Sequence, residues 1–223
     1  MEIKNTIKKL QKEAEYFLKH AKLIVNGIEI LPKEIEVYYF KEGEFEDKSV
    51  HRNELQKNNK NHFYVHRNGT KQTNSYKGGT RGGLDFVVSD DVNVFHSYLI
   101  RSAVVNGKSY VGPNNVLKSI KEASGLSLEE LEKASIKLDT NKTASDVLFS
   151  SRINIPNKAE EFQDKKLRAV LCDELFRDNK YPAKEELIKR FLLSKIASHE
   201  MSQEQVINYA REKLGYVPSV LKK

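Results

Sequence analysis

Cysteine is nearly missing from this chain of 223 residues, and its one copy, Cys172, excludes an internal disulfide and a thiolate zinc cluster. Long apolar runs are missing too. None approaches the roughly 18 to 20 residues that cross a bilayer, and the opening MEIKNTIKKLQKEAEYF lacks the apolar segment of a secretory signal. Both absences lead us to expect a cytoplasmic protein, in contact with the nucleoid if the source is bacterial, and no membrane partner. The glycine stretch GGTRGG contains neither G-x-x-x-x-G-K-[ST] nor G-x-G-x-x-G, so the common phosphate-cradling fingerprints do not apply. No serine occupies a G-x-S-x-G elbow, and Cys172 reads as a small buried hydrophobe. His62 and His66 lack the intervening glutamate of the zinc-protease motif, and on a strand their spacing leaves them about 13 Å apart. No metal and no cofactor is expected.

What is present fits one substantial core. A hydrophobic fraction of 39% with ten Phe and ten Tyr argues against disorder throughout. Lys and Arg number 38 against 31 acids, a net charge of +7. The excess is local. Residues 52 to 81 hold Arg52, Lys57, Lys60, Arg67, Lys71, Lys77 and Arg81 against the single acid Glu54, the electrostatic footprint of phosphate binding or else a solvated loop.

Ile3, Ile7, Leu10, Ala14, Phe17 and Leu18 recur at helical spacing, so a helix opens the fold. KLIVNGIEIL, with Asn26-Gly27 as a hairpin turn, then IEVYYF, HFYVH, LDFVVS and HSYLIRSAVV read as strands. Between them, residues 67 to 83 contain five of the eleven glycines, a composition that predicts a long surface loop. Gly112-Pro113 opens a helix over VLKSIKEAS that Gly125 stops. Ser127 with Glu130 and Ser202 with Gln205 read as capping boxes. SRINIP and KLRAVL predict two more strands, and Pro182 a helix start. The expected fold class is α+β: a single mixed domain over residues 1–171, with a curved, mainly antiparallel sheet flanked by helices, and a C-terminal helical extension over 172–223.

One segment carries chemistry. In EIEVYYFKEGEFEDKSVH, Glu34, Glu36 and Tyr38 alternate with Ile35, Val37 and Tyr39, so on a strand the two carboxylates share a face. Periodicity alone reads this as a strand whose polar side meets water. The order Glu34-x-Glu36-x-Tyr38, then Asp47-x-x-x-His51, resembles the E-x-E-x-Y…D-x-x-x-H run of the alkyladenine (3-methyladenine, methylpurine) DNA glycosylases. Phe63-Tyr64-Val65 is similar to that family's L-Y-V strand, and Leu99-Ile100-Arg101 to its L-L-R. Gly112-Pro113 matches its helix-opening G-P; Arg152-Ile153-Asn154-Ile155 and Lys166-Leu167-Arg168 match its R-V-G-V…P-L-R ending. The matches are collinear from Ala14 to Val170.

The resemblance implies a monofunctional DNA N-glycosylase that flips an alkylated purine from duplex DNA and hydrolyses its N-glycosidic bond, leaving an abasic site. By that likeness Glu36 activates the water, Arg101 helps hold it and the backbone carbonyl of Ile155 completes its site. Tyr38 would stack on the flipped base and His51 hydrogen-bond it. His66 stands where the family has a second stacking tyrosine. Asp85 replaces a pocket asparagine, unless Ser89 aligns there, and as an anion it would favour cationic bases. Arg67, Lys71, Lys77 and Arg81 are candidate DNA contacts, and Tyr76 a candidate wedge into the duplex. The acidic KEGEFED and the helical tail depart from the family. The partner implied is damaged double-stranded DNA, bound by a monomer. Two alternatives are a DNA-binding relative that recognises damaged bases without turnover, and an enzyme acting on RNA or free nucleosides.

Overall fold

A computed structural model describes residues 2–68, 75–153, 155, 159–172, 184–197 and 199–222. The fold is α+β, built on an antiparallel sheet that curls into a half-barrel. Helix α1 (Glu2–His20) lays Leu10, Ala14, Phe17 and Leu18 against one face of the sheet, as its period requires. It runs directly into β1 (Ala21–Val25), and Asn26 and Gly27, both at positive φ, turn the chain into β2 (Ile28–Lys41) in the manner of a tight hairpin.

β2 is the axis of the site. Along one edge it pairs with β6 (Val94–Val105) from Ile30 to Lys41. Its other edge takes β1, then β10 (Arg168–Leu171), then β3 (Phe45–Glu46) in succession. Pro32 has no N–H to give the ladder, and the β2–β6 register shifts between Pro32 and Ile35. β5 (Leu84–Val87) continues the sheet beyond β6, and β4 (Phe63–Val65) pairs with β5. β7 (Lys108–Val111) hairpins back onto β6, β8 (Lys137–Thr140) adds to β1, and β9 (Val147–Ser150) adds to β10.

Helices α2 (Pro113–Ser124) and α3 (Leu128–Lys133) start and stop where their caps predict: Gly125 sits at φ 70, and Ser127 and Glu130 form the reciprocal capping box. Beyond Cys172, helices Lys184–Ala197 and Gln203–Leu214 bury Ile188, Leu192, Val206 and Ala210 against Leu148 and Val170 in a second apolar cluster. The tail therefore packs on β9 and β10. The helix start at Pro182 lies outside the described residues. Among the described residues, no helix is long and apolar enough to cross a membrane.

Two expectations need correction. The described residues of SRINIP, 151–153 and 155, are not in a strand, which lies earlier, at Val147–Ser150: Arg152 and Ile153 direct their donors to buried groups of β2 and to Asp47 instead of to a ladder, and Asn154 and Pro156 lie outside the described residues. The glycine-rich stretch is not wholly superficial: Gly82 and Gly83 are buried. A Cβ on Gly82 would sit 2.7 Å from the Asn114 side chain, and one on Gly83 2.9 Å from His66 Nδ1 and 3.1 Å from Leu99. Glycine there lets the chain pass between α2 and the sheet.

Candidate active site

Register assembles the site. Tyr64 stands opposite Asp85, Asp85 opposite Leu99, Leu99 opposite Glu36, and Glu36 opposite Arg168. Directly opposed residues share a face, so these five side chains make a row across β4, β5, β6, β2 and β10. Tyr38 and Ser97 form the next rung. Ile35, Val37, Tyr98 and Ile100 alternate with them and face the core under α1. The polar face is not in water: Glu34 is 2% exposed and Glu36 fully buried, which overturns the solvated-strand reading.

Buried carboxylates need partners, and these have arginines. Glu34 Oε1 accepts from Arg168 Nε at 2.5 Å and from Arg101 Nε at 3.2 Å. Arg101 Nη1 also lies 3.4 Å from Glu36 Oε1, so one guanidinium spans both acids. Glu36 Oε1 further accepts the Ile153 N–H at 2.7 Å, and its Oε2 accepts the Tyr38 hydroxyl at 3.1 Å. Burial pushes the Glu36 carboxyl above the usual glutamate range, against the pull of Arg101 and the Ile153 N–H. Burial, with the Glu36 charge adding, raises the Tyr38 phenol well above its ordinary value and keeps it a donor.

Arg152 ties the parts together. Its guanidinium lies 4.9 Å from the centre of the Tyr38 ring, donates to the Val37 carbonyl at 3.2 Å and pairs with Asp47 at 2.7 Å. Asp47 in turn accepts the Ser49 N–H and hydroxyl. The segment leading to His51 is thereby fastened to the one that supplies Ile153.

The far end of the row is a histidine pair. His51 Nδ1 is 2.8 Å from the Tyr64 hydroxyl, and its Nε2 is 3.1 Å from Lys77 Nζ. A lysine ammonium only donates, so Nε2 accepts and Nδ1 carries the proton. His66, whose ring centroid is 4.9 Å from that of His51, contacts Asp85 Oδ1 through Nε2 at 2.7 Å. Asp85 Oδ2 accepts from Ser97 at 2.7 Å and Gln56 at 3.2 Å. Burial would raise the Asp85 carboxyl, but His66 and the Ser97 hydrogen bond hold it below its ordinary value. Ser89, the alternative to Asp85, bonds Val94 and Asp91 carbonyls in the β5–β6 turn instead.

The structure thus gathers Glu36, Tyr38 and Arg101 in one cluster and His51, His66 and Asp85 in an adjoining one. The candidate DNA contacts divide. Arg67 is turned inward, bonded to Glu132 and stacked on the Tyr76 ring at 4.6 Å. Tyr76 donates to Glu132 at 2.8 Å, and burial with that carboxylate pushes its phenol up to about 12. Lys77 reaches His51, Arg81 is exposed on a short turn, and Lys71 lies outside the described residues. The Ile155 carbonyl accepts a long bond of 3.5 Å from Gln163. Sequence reasoning missed Arg168 as the partner of Glu34, the Ile153 N–H, and the Gln56–Asp85–Ser97 group. Compared with protein-family models and with curated proteins, the chain matches none.

Proposed function

We propose that the protein is a DNA glycosylase that hydrolyses the N-glycosidic bond of an alkylated purine flipped from duplex DNA. The observation that carries this reading is Glu36, a fully buried carboxylate gripped by Arg101 and the Ile153 N–H beside Tyr38. A carboxylate so held suits two tasks: it takes a proton from water, and it stabilises positive charge developing on the sugar. Its raised pKa strengthens it as a base while Arg101 favours the ionised form. Arg152 covers one side of the Tyr38 ring, so a flipped base would stack on the other. His51 Nε2, which accepts from Lys77 here, would take an exocyclic amino group of a purine in place of that lysine.

Incubation with duplex DNA carrying 3-methyladenine, 7-methylguanine, hypoxanthine or ethenoadenine tests the reading. Release of a free base with an abasic site left behind is the expected result, and no release from any of the four would reject it. The engagement of both Glu36 oxygens inside the protein favours a second reading, a damaged-base binder without turnover. Preferential binding to those duplexes with no release would support that reading instead.

A further inference from the structure

In the free protein the place that a purine amino group would take is filled by an amine. Lys77 and His51 are both half-buried, and Lys77 Nζ lies 3.1 Å from His51 Nε2. A flipped base must displace the lysine, whose four-carbon stem is flexible, and a departing base opens the place to it again. What the base leaves beside Lys77 is the sugar of an abasic site, whose open-chain form carries an aldehyde at C1′. The hydrolytic reading alone gives Lys77 no task there.

An ammonium does not attack a carbonyl; a free amine does, and a neighbouring base makes one by taking its proton. His51 is held for that exchange. Its Nδ1–H is tied to the Tyr64 hydroxyl at 2.8 Å, and Tyr64 is 1% exposed in β4, so the imidazole keeps Nε2 toward the lysine as an acceptor. His66 does not stand in for it, because its Nε2 is bonded to Asp85 at 2.7 Å. We infer that the protein has a second activity, cleavage of the strand at the abasic site, with Lys77 as the nucleophile and His51 as the carrier of protons. The inference rests on the glycosylase reading for where the sugar lies. His51 Nε2 takes one proton from the Lys77 ammonium, and the amine bonds to C1′ of the aldehyde. The carbonyl oxygen leaves as water with the proton from His51, giving a protonated imine. His51, neutral again, takes a proton from C2′, and the electron pair of that bond expels the 3′ phosphate as the C3′–O bond breaks. Water then hydrolyses the conjugated imine and frees Lys77, so water is the only co-reactant.

Duplex DNA with a preformed abasic site, incubated with the full chain and borohydride, tests this without any need for base release. Reduction of the imine should trap a covalent protein–DNA complex whose linkage maps to Lys77 by peptide mass spectrometry. Without borohydride the strand should be cut on the 3′ side of the abasic site. Lys77→Arg keeps the charge but forms no such imine, so it should abolish both while duplex affinity stays close to the parent's. His51→Gln should slow trapping on the order of 100-fold. No trapping by the parent, a linkage mapped to another amine, or a Lys77→Arg variant that traps as the parent does would overturn the inference; the mapping in the unsubstituted protein decides even if Lys77→Arg fails to fold. Base release that leaves the abasic strand intact and untrapped would overturn it and leave the glycosylase reading standing. Trapping at Lys77 with no base released from the four damaged duplexes would uphold the lysine chemistry and reject that reading instead.

Discussion

The two faces of β2 and β6 are equally buried and differently made. On the α1 side, Ile35 and Val37 lie at 0% exposure among apolar neighbours; on the other, Glu36 is also at 0%, held by Arg101, Ile153 and Tyr38. The first face is held by area removed from water. The second offsets its desolvation through ion pairs and hydrogen bonds, because an ionised group without them costs several kcal/mol. The lesson is that period-two alternation shows which residues share a face without showing which face meets solvent. Each face also carries a titratable group that burial pushes toward its neutral form: Glu36 upward, His96 downward.

The comparison breaks most sharply at the Asp47–Arg152 pair. Both side chains are fully buried, so Asp47→Ala leaves a guanidinium uncompensated and should cost about 3 to 5 kcal/mol in denaturant unfolding. The double variant Asp47→Leu/Arg152→Met should recover part of that loss. If the single variant unfolded at the same denaturant concentration as the parent, the polar face would not depend on its ion pairs.

Next in size is the pH dependence from His96. Its folded pKa lies near 3 and its unfolded value near 6.5, so between these limits the unfolded chain binds a proton that the folded chain does not. Stability contributed above pH 6.5 is therefore lost as pH falls, at up to about 1.4 kcal/mol per unit. His96→Gln should flatten this slope. Glu36 has the opposite sign: with its folded pKa raised, its contribution is present below the unfolded value and lost as pH rises through the folded one.

A milder change sharpens the contrast. Ile35→Val removes one methylene from the apolar face and should cost roughly 0.5 to 1.5 kcal/mol without altering base release, whereas a change in release would mean the faces are coupled. Smallest is Arg81→Ala, which should reduce the slope of log affinity against log salt by about 0.9 if that exposed side chain meets a phosphate. An unchanged slope would place the DNA surface elsewhere.

Local signals were the legible ones. Asn26-Gly27, the Ser127–Glu130 box and the Ser202–Gln205 box each encode their turn or cap within four residues, and each is found. β8 was not legible, because KLDT has one apolar residue, the exposed Leu138, and joins the sheet through backbone pairing with β1 and the Lys22–Asp139 ion pair. In the site, alternation placed Glu34, Glu36 and Tyr38 on one face. The Gln56–Asp85–Ser97 bonds and the Arg168–Glu34 pair span from 12 to 134 residues of sequence and exist only once β5, β6, β2 and β10 are in register. The inward turn of Arg67 is of the same kind: its charge is visible in the chain, but Glu132, which takes it up, lies 65 residues away.

The central claim is that Glu36 in its ionised form acts on water. Single-turnover base release from alkylated duplex DNA, measured from pH 4 to 8 for the parent and Glu36→Gln, tests it most directly. The parent rate should fall as pH drops through a value above the ordinary glutamate range, since protonation removes the base. Glu36→Gln should be slower by at least about 100-fold at neutral pH, with that limb gone and folding intact. A variant that released the base at the parent's rate, with the same pH profile, would contradict the claim.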